Sequence, residues 1–355
     1  MDPKQRPKKN DILQRNAFQE GCIETLETPK AELHVHLEGT VTPKQLKTLA
    51  TKHNIALPNK IFGPNDAFAW DDFNHFLQVF DIVSSAIRTI EDYHLITYDY
   101  LSRSVMEGVI YTELTISYDH ASQKGLSYQD FIAGVTSGML AAKRDYQIES
   151  RAIVTIVRHN GPEDALKTAE VVLNNPHPLV TGFGLAGDEA GFPPSLFKEA
   201  FDLAAIGGLS CTAHAGEWAG PEGVWEAIEH LPLKRIGHGV RSIEDPELVK
   251  ELVERGLVLE CCPASNVALE LYPSFEAHPF PKLLQAGVKV TLNSDDPPYF
   301  ATTIGKEYNI AKSIYCLDKE ALIEITNTAI RASFTDDETK EQLLNTVILK
   351  SCLQV

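Results

Sequence analysis

The sequence predicts an α/β protein whose chain forms a (β/α)8 barrel, or TIM barrel, with a helical lid insertion after the first strand. Short apolar or β-branched runs alternate with segments of helical periodicity, an order that is typical of a parallel sheet. A doubly wound open sheet and a closed barrel both fit this order. No GxGxxG motif follows the first strand, and polar residues stand at the C-terminal ends of strands that are far apart in the chain. Because a barrel mouth readily brings such ends to one point, the barrel is the favoured fold.

Eight segments have the composition of buried strands. They are residues 31–36, 109–117, 152–157, 180–185, 209–214, 235–238, 257–261 and 288–293. Helical periodicity is found between them at residues 129–143, 162–173, 195–205, 221–230 and 246–255. Several of these segments begin with proline or with an acidic residue in the first turn, as helices commonly do. The pattern predicts one catalytic domain over residues 29–355, preceded by a tail over residues 1–28.

An aromatic-rich insertion, residues 66–83, separates the first predicted strand from the second. Its apolar residues Phe73, Phe76, Leu77 and Phe80 recur at the spacing of one helix face. A helix that packs this face onto the barrel and a helix that forms a lid over the barrel mouth both fit the pattern. The periodicity therefore predicts the helix and leaves both interpretations open.

The composition restricts the classes of partner. The chain of 355 residues carries 49 acidic and 32 basic residues, and its net charge of −17 repels phosphate backbones and anionic lipids. Nucleic acid and membranes are therefore not expected as partners, whereas a small neutral or cationic molecule is. The six cysteines are scattered and form no CxxC pair, and no apolar signal-peptide core follows the basic N-terminus. A cytoplasmic location is the expectation.

Histidines and carboxylates stand at several predicted strand ends. His34 and His36 are two residues apart on the first strand, so both side chains project from the same face. His214 ends the fifth strand, and Asp295 follows the eighth. Taken singly, they could be hydrogen-bonded core histidines and a turn or helix-capping carboxylate. Together they supply three nitrogens and one oxygen, a ligand set that suits zinc.

Further polar residues accompany these candidate ligands. Glu217 lies in the turn after His214, His238 ends the sixth strand between two glycines, and Asp296 follows Asp295. Taken singly, each could be a solvated helix-start acid or an ordinary turn residue. Four mixed ligands leave room for a reactive water. Because residues 182–189 contain no lysine that could bridge two ions, one metal ion is predicted.

Five segments, ELHVHLEG, LAGDE, TAHAGE, RIGHG and TLNSDDP, occur in this order between residues 32 and 297 and are spread over most of the chain. Together they resemble the adenosine deaminase family of the metal-dependent amidohydrolases. The resemblance implies one Zn²⁺ ion held by His34, His36, His214 and Asp295. It also implies that Glu217 donates a proton to purine N1. His238 would be the base or the electrostatic partner of the attacking water, and Asp295 would share in orienting and deprotonating it.

The same resemblance assigns further residues to the substrate, which is expected to be a small purine nucleoside. Asp296 resembles the residue that contacts N7, and Gly187 the one whose backbone amide contacts N3. Phe76 and Phe80 are similar to the hydrophobic gate of the family, which favours the lid interpretation over simple packing. His36 and Glu38 are also expected to contact the substrate.

The expected reaction is hydrolytic deamination of adenosine and 2′-deoxyadenosine to inosine and 2′-deoxyinosine, with release of ammonia. LAGDE resembles the nucleoside enzymes. Glu38 departs from them, because well-known adenosine deaminases have there an aspartate associated with the ribose 5′-hydroxyl. HLEG also resembles relatives that act on adenine or 6-aminodeoxyfutalosine, so these substrates are the alternative. A different metal hydrolase and a non-catalytic binding protein are less favoured, since neither a bridging lysine nor a missing ligand is found.

Overall fold

The eight predicted strands are present in the computed structural model of the protein, which describes residues 28–352. They are β1 (Lys30–His36), β2 (Val109–Ile116), β3 (Glu149–Val157), β4 (Val180–Ala186), β5 (Ser210–Ala215), β6 (Leu233–His238), β7 (Val258–Cys261) and β8 (Lys289–Leu292). Neighbouring strands in the chain pair in parallel, in the order β1 to β8. The predicted bounds differ from these by at most three residues, and the predicted barrel fold is confirmed.

The first and last strands meet through a single parallel bridge between Val35 and Asp295. The Asp295 N–H donates to the carbonyl oxygen of His34 at 3.2 Å, and the His36 N–H donates to the carbonyl oxygen of Asp295 at 3.0 Å. The sheet is therefore a nearly closed barrel, and its closure lies at the C-terminal ends of the strands.

Helices follow the strands and surround them. They are α1 (Pro43–Lys52), α2 (Phe73–Ser84), α3 (Ile90–Met106), α4 (Tyr118–Ser122), α5 (Tyr128–Tyr146), α6 (Pro162–Asn174), α7 (Lys198–Ile206), α8 (Pro221–His230), α9 (Pro246–Arg255), α10 (Pro263–Ala268), α11 (Phe280–Gln285), α12 (Ile304–Ser313), α13 (Lys319–Ala332) and α14 (Asp337–Cys352). The predicted helix at 195–205 begins one turn later, because Pro194–Phe197 forms a 3₁₀ turn.

Within the part of the chain that the structure describes, every helix is too short or too polar to cross a membrane. The tail predicted for residues 1–28 lies, apart from Thr28, outside the described residues.

The insertion after β1 contains the predicted helix, α2. Its N-cap is Asp72, whose side chain accepts the N–H of His75 at 2.8 Å. Phe76, Val79 and Val83 form its buried face and belong to the main hydrophobic core. The packing interpretation therefore describes this face, and movement of α2 as a lid stays a prediction.

Candidate metal centre and active site

The four predicted metal ligands meet at the mouth of the barrel. His34 and His36 lie at the end of β1, His214 near the end of β5, and Asp295 after β8. Asp295 Oδ1 is 3.3 Å from His36 Nε2 and 3.5 Å from His34 Nε2, and the Nε2 atoms of His36 and His214 are 3.2 Å apart. One ligand atom of each residue lies within 4.8 Å of the others. Because zinc ligands lie at about 2.0–2.2 Å from the ion, atoms at this mutual spacing can share one ion.

Hydrogen bonds behind the histidines also suit a metal ion. His214 Nδ1 donates to the carbonyl oxygen of Leu185 at 2.9 Å, and His34 Nδ1 donates to Glu260 Oε2 at 2.8 Å. Since Nδ1 carries the proton of each neutral ring, Nε2 keeps its lone pair. His34 Nε2 is buried and has no hydrogen-bond partner among the described residues. The donor set and this unpartnered nitrogen fit a divalent cation.

Glu260 on β7 orients His34 and is itself held by a buried ionic network. Its Oε1 accepts from Arg235 Nε at 2.6 Å and from Thr212 Oγ1 at 2.9 Å, and Arg235 also pairs with Glu113 at 2.6 Å. Burial alone would raise the pKa of Glu260, but Arg235 and His34 lower it to about 2. The ionised carboxylate behind a histidine is a common arrangement around metal ligands. Glu260 is not among the residues predicted from the sequence, although an acid inside an apolar strand is an unusual signal.

Two residues at the site have a left-handed backbone although they are not glycine. The φ angle is 56° at His238 and 63° at Asp295. Such conformations cost free energy, and they persist where the surrounding structure determines them. The hydrogen bonds between Asp295 and β1 provide that support at the barrel closure.

Glu217 and His238 lie beside the candidate metal ligands. His238 Nε2 is 3.6 Å from Glu217 Oε2, and both side chains are buried. Burial raises the pKa of Glu217 well above its ordinary value, and the nearby charges of Asp295 and Glu189 raise it further. A carboxyl group in this environment holds its proton near neutral pH and can donate it.

Glu189 builds the loop that carries Glu217. Its carboxylate accepts four backbone N–H groups, from Gly216 at 2.5 Å, Glu217 at 3.1 Å, Trp218 at 2.8 Å and Ala219 at 3.1 Å. Only a carboxylate can accept all four, because it has two oxygens and no hydrogen. The motif LAGDE contains this residue, but no local pattern in the sequence connects it with the loop after β5.

We expect Glu189→Gln to lower kcat by about 10- to 100-fold, the usual range for groups that orient a reacting residue. The amide nitrogen of glutamine would face backbone N–H groups and displace the loop that holds Glu217. Metal content should stay at the wild-type level, which elemental analysis of the purified variant checks. A variant with wild-type kcat would show that the loop needs no carboxylate.

Asp296 lies after β8 and Gly187 directly after β4, and the resemblance assigns both residues to the purine. Asp296 is buried, and its Oδ1 has no hydrogen-bond partner among the described residues. Burial and the neighbouring charge of Asp295 raise the pKa of Asp296 well above its ordinary value. A Cβ at Gly39 would lie 1.7 Å from Asp296 Oδ1, so only glycine leaves room for this carboxyl. Gly187 follows β4 with φ 100°.

The helix α2 brings aromatic residues to the mouth. The Phe80 ring packs edge-on against His36 at a centroid distance of 6.2 Å and lies 6.3 Å from the Phe76 ring. Phe73 contacts Trp218, in the loop after β5, at 4.4 Å. The helix is also connected to α4, which follows β2, because His120 Nε2 is 3.0 Å from Asp81 Oδ1. Of the two residues expected to form the gate, Phe80 thus lies beside the candidate ligand His36, and Phe76 lies beside Phe80.

Glu38 lies just after β1, and its side chain is buried. Its Oε1 accepts the N–H of Ser117 at 3.1 Å. Burial raises the pKa of Glu38 to about 7, against the opposing effect of His120. The carboxyl group is therefore held between the end of β1 and the loop after β2.

An acidic cavity of about 820 Å³ lies beside the N-terminal end of α2. Trp70, Phe73 and Trp218 are among its apolar walls. The carboxylates that line it are Asp71, Asp72, Asp188 and Glu270. An anionic group that approaches along this side meets a repulsive potential.

The comparisons with known proteins agree with the predicted resemblance. The family model described as adenosine deaminase matches residues 29–350. An adenine deaminase from Chelativorans sp. (strain BNC1) is 48% identical over 314 residues, which are 88% of this chain and 96% of that protein. An adenine deaminase from Sinorhizobium medicae (strain WSM419) is 43% identical over 320 residues, 90% of this chain and 98% of that protein.

Two solved structures share the fold along almost the whole chain. The crystal structure of adenine deaminase from Arthrobacter aurescens is 30% identical, with a TM-score of 0.84, and covers 90% of this chain and 98% of its own. An amidohydrolase from Burkholderia ambifaria, solved with bound Zn, is 25% identical, with a TM-score of 0.86, and covers 95% of this chain and 94% of its own. These similarities support a deaminase of the metal-dependent hydrolase type.

The prediction that the substrates are adenosine and 2′-deoxyadenosine is wrong. The relatives that are 42–48% identical and the structure from A. aurescens are named adenine deaminase. A purine nucleoside as the partner is unsupported for the same reason. The physical explanation lies in Glu38, which is one methylene longer than aspartate and directs one oxygen to the Ser117 N–H. At the position where the nucleoside enzymes have an aspartate, one oxygen of this longer carboxyl is thus engaged with the backbone after β2.

Proposed function

Because this chain belongs to the adenosine deaminase family, we propose that it is a zinc-dependent adenine deaminase, which converts adenine and water to hypoxanthine and ammonia. The observation that carries the substrate is the high identity to adenine deaminases over almost their whole length. The observation that carries the reaction is the group of three histidines and one aspartate beside a buried glutamate.

His34, His36, His214 and Asp295 would hold the zinc ion. When bound, zinc supplies a water whose pKa is lowered to about 7, so that a nucleophile is available at neutral pH. Glu260 supports this assignment, because its hydrogen bond leaves the Nε2 lone pair of His34 free for a ligand bond. The Nδ1 hydrogen bond of His214 to Leu185 has the same effect.

Glu217 would act as the acid. Its buried, protonated carboxyl donates to N1 of adenine, which draws electrons from the ring and makes C6 open to attack. A C6–O bond forms, the C6–N bond breaks, and the amino group leaves as ammonia after it has gained a proton. Asp295 and His238 would orient the attacking water, and Asp295 would accept its proton.

Asp296 and Gly187 would hold the purine by its edges. The raised pKa of Asp296 keeps its carboxyl protonated, so its partner-free Oδ1 side is suited to donate a hydrogen to N7. The Gly187 N–H would donate to N3. Phe76 and Phe80 would cover the ring and exclude water from the intermediate.

Two features support a free base rather than a larger substrate. Glu38 carries its carboxyl into the region where nucleoside enzymes bind a ribose hydroxyl. The acidic cavity beside the N-terminal end of α2 repels the phosphate of a nucleotide, since Asp71, Asp72 and Asp188 line it. Neutral adenine meets neither obstacle.

The test is ammonia release by the zinc-loaded protein with adenine, adenosine, 2′-deoxyadenosine and 6-aminodeoxyfutalosine measured in parallel. We expect kcat/KM for adenine to exceed that for adenosine by on the order of 10³. A pocket that encloses the free base rejects a substrate with an attached sugar more strongly than it rejects a substrate with one extra methylene. The metal-free protein, prepared with a chelator, is the control. Equal or higher kcat/KM on either nucleoside or on the futalosine compound would contradict the proposed substrate.

A further inference from the structure

One side-chain amide contacts both residues that flank the reaction site. Asn266 lies in α10, and its side chain is fully buried. Its Nδ2 is 3.4 Å from Glu217 Oε1 and 3.3 Å from His238 Nδ1. Its backbone N–H donates to the carbonyl oxygen of Cys262 at 3.1 Å, which fixes the residue within the helix. A single amide is therefore in a position to orient a carboxyl group and an imidazole at once.

The direction of this amide follows from a buried histidine behind it. The backbone N–H of Phe280 donates to His278 Nδ1 at 3.2 Å, so this nitrogen accepts and carries no proton. Burial lowers the pKa of His278 to about 3, which keeps the ring neutral, and the proton therefore lies on Nε2. His278 Nε2 is 3.1 Å from Asn266 Oδ1. The amide oxygen of Asn266 must accept this hydrogen, and both amide hydrogens are left for Glu217 and His238.

We propose that Asn266 is a positioning residue that orients the Glu217 carboxyl and selects the tautomer of His238, with His278 fixing the direction of the amide. His238 Nδ1 receives an Asn266 hydrogen, so the proton of the neutral imidazole lies on Nε2. That nitrogen faces Glu217 Oε2 at 3.6 Å, on the side of the candidate metal ligands. His238 thus presents a hydrogen-bond donor to the attacking oxygen and stabilises its developing charge. His238 could act as the base or as the electrostatic partner of the attacking water, and a proton on Nε2 favours the electrostatic role.

The arrangement also explains the burial of three polar side chains that would otherwise destabilise the fold. Asn266, His238 and His278 are all at most 2% exposed. Buried polar atoms are tolerated when each has a partner of the opposite polarity. This condition is met when hydrogens are donated in one direction: from the Phe280 N–H to His278, from His278 to Asn266, and from Asn266 to His238. The opposite direction fails, because the Phe280 N–H can only donate.

The tautomer can be measured directly by NMR of the zinc-loaded protein with ¹⁵N-labelled histidine, because a protonated and a bare ring nitrogen differ widely in chemical shift. The chain has 12 histidines, so the His238 signals are assigned by their loss in His238→Gln. We expect wild-type His238 to carry its proton on Nε2. A wild-type ring that is protonated on Nδ1 would overturn the proposal.

The decisive variant is Asn266→Asp, which keeps the shape of the side chain and replaces its hydrogens with an acceptor. The new carboxylate can still accept from His278, but it offers no hydrogen to His238 Nδ1. We expect the His238 proton to move to Nδ1 and kcat to fall by about 10²-fold, with little change in KM and no loss of zinc. The matched control is Asn293→Asp, at a second fully buried amide whose partners are Leu33, Cys261 and Thr291. It should leave the His238 tautomer unchanged, and an unchanged tautomer in Asn266→Asp would overturn the proposal.

His278 provides a second test that does not depend on the stability of the Asn266 variant. His278→Leu removes the donor to Asn266, and we expect kcat to fall by roughly tenfold. His278→Gln offers a new N–H donor and should restore most of that loss. Because the two residues act in series, adding His278→Leu to Asn266→Asp should lower kcat no further. Additive losses would indicate two independent structural effects instead.

The kinetic part of this inference rests on the proposed deamination, whereas the NMR part does not. A protein that shows the expected tautomer but releases no ammonia from adenine would contradict the proposed function and keep the positioning role. A protein that releases ammonia from adenine but carries the His238 proton on Nδ1 would keep the proposed function and contradict the positioning role of Asn266.

Discussion

Glu217→Gln is expected to lower kcat for adenine by about 10³-fold, within the range usually contributed by general acid catalysis. Glutamine has nearly the same shape and can still donate a hydrogen bond to N1, but it cannot transfer a proton. Burial and the charges of Asp295 and Glu189 hold the wild-type carboxyl protonated, so only the proton transfer is lost. A loss of this size corresponds to about 4 kcal/mol of transition-state stabilisation.

Steady-state kinetics together with zinc analysis check this prediction. Zinc content should equal that of the wild type, because Glu217 is not among the four candidate ligands. Glu229→Gln, at an exposed glutamate on the neighbouring helix α8, is the matched control and should keep the wild-type rate. If Glu217→Gln turned over adenine at a rate near that of the wild type, another residue would have to be the acid.

His214→Ala is expected to lose zinc and activity together. His214 Nε2 lies 3.2 Å from His36 Nε2, and its removal leaves two nitrogens and one oxygen around the candidate ion. With one ligand fewer, affinity for zinc falls by orders of magnitude, and the hydrolytic water is lost with the ion. We expect kcat to fall below the detection limit.

The measurement is zinc per chain after gel filtration, with activity and thermal unfolding recorded on the same sample. His230→Ala removes an exposed histidine at the end of α8 and serves as the control for loss of an imidazole as such. A His214→Ala protein that retains one zinc per chain and its activity would show that the metal is held elsewhere.

The strands and the histidine pair could be predicted from the sequence because both depend on local periodicity. His34 and His36 share a face since side chains alternate along a strand, whatever that strand pairs with. The position of His214 and Asp295 beside them could be expected only after a closed barrel had been inferred. The contacts of Glu260 and Asn266 could not be predicted, because they depend on which side chains face each other across the assembled barrel.

The substrate could not be predicted correctly, for a physical reason that the site makes clear. LAGDE resembles the nucleoside enzymes, but its last residue, Glu189, binds the backbone of residues 216–219. That contact shapes the loop that carries Glu217, and it therefore does not distinguish a nucleoside from a free base. Glu38 is the more informative position, because it departs from the nucleoside enzymes and the segment HLEG resembles relatives that act on adenine.

The closure of the barrel has a consequence for the order in which the molecule is assembled. The strand that carries His34 and the segment that carries Asp295 are separated by about 260 residues, and the backbone of Asp295 is what joins them. During synthesis, the first three candidate ligands leave the ribosome long before the fourth. The complete set of four candidate ligands therefore forms only once the two ends of the sheet have met, unlike the local metal site of a small zinc-dependent domain. The binding free energy of an ion held by all four residues would instead add to the stability of a barrel that has already closed.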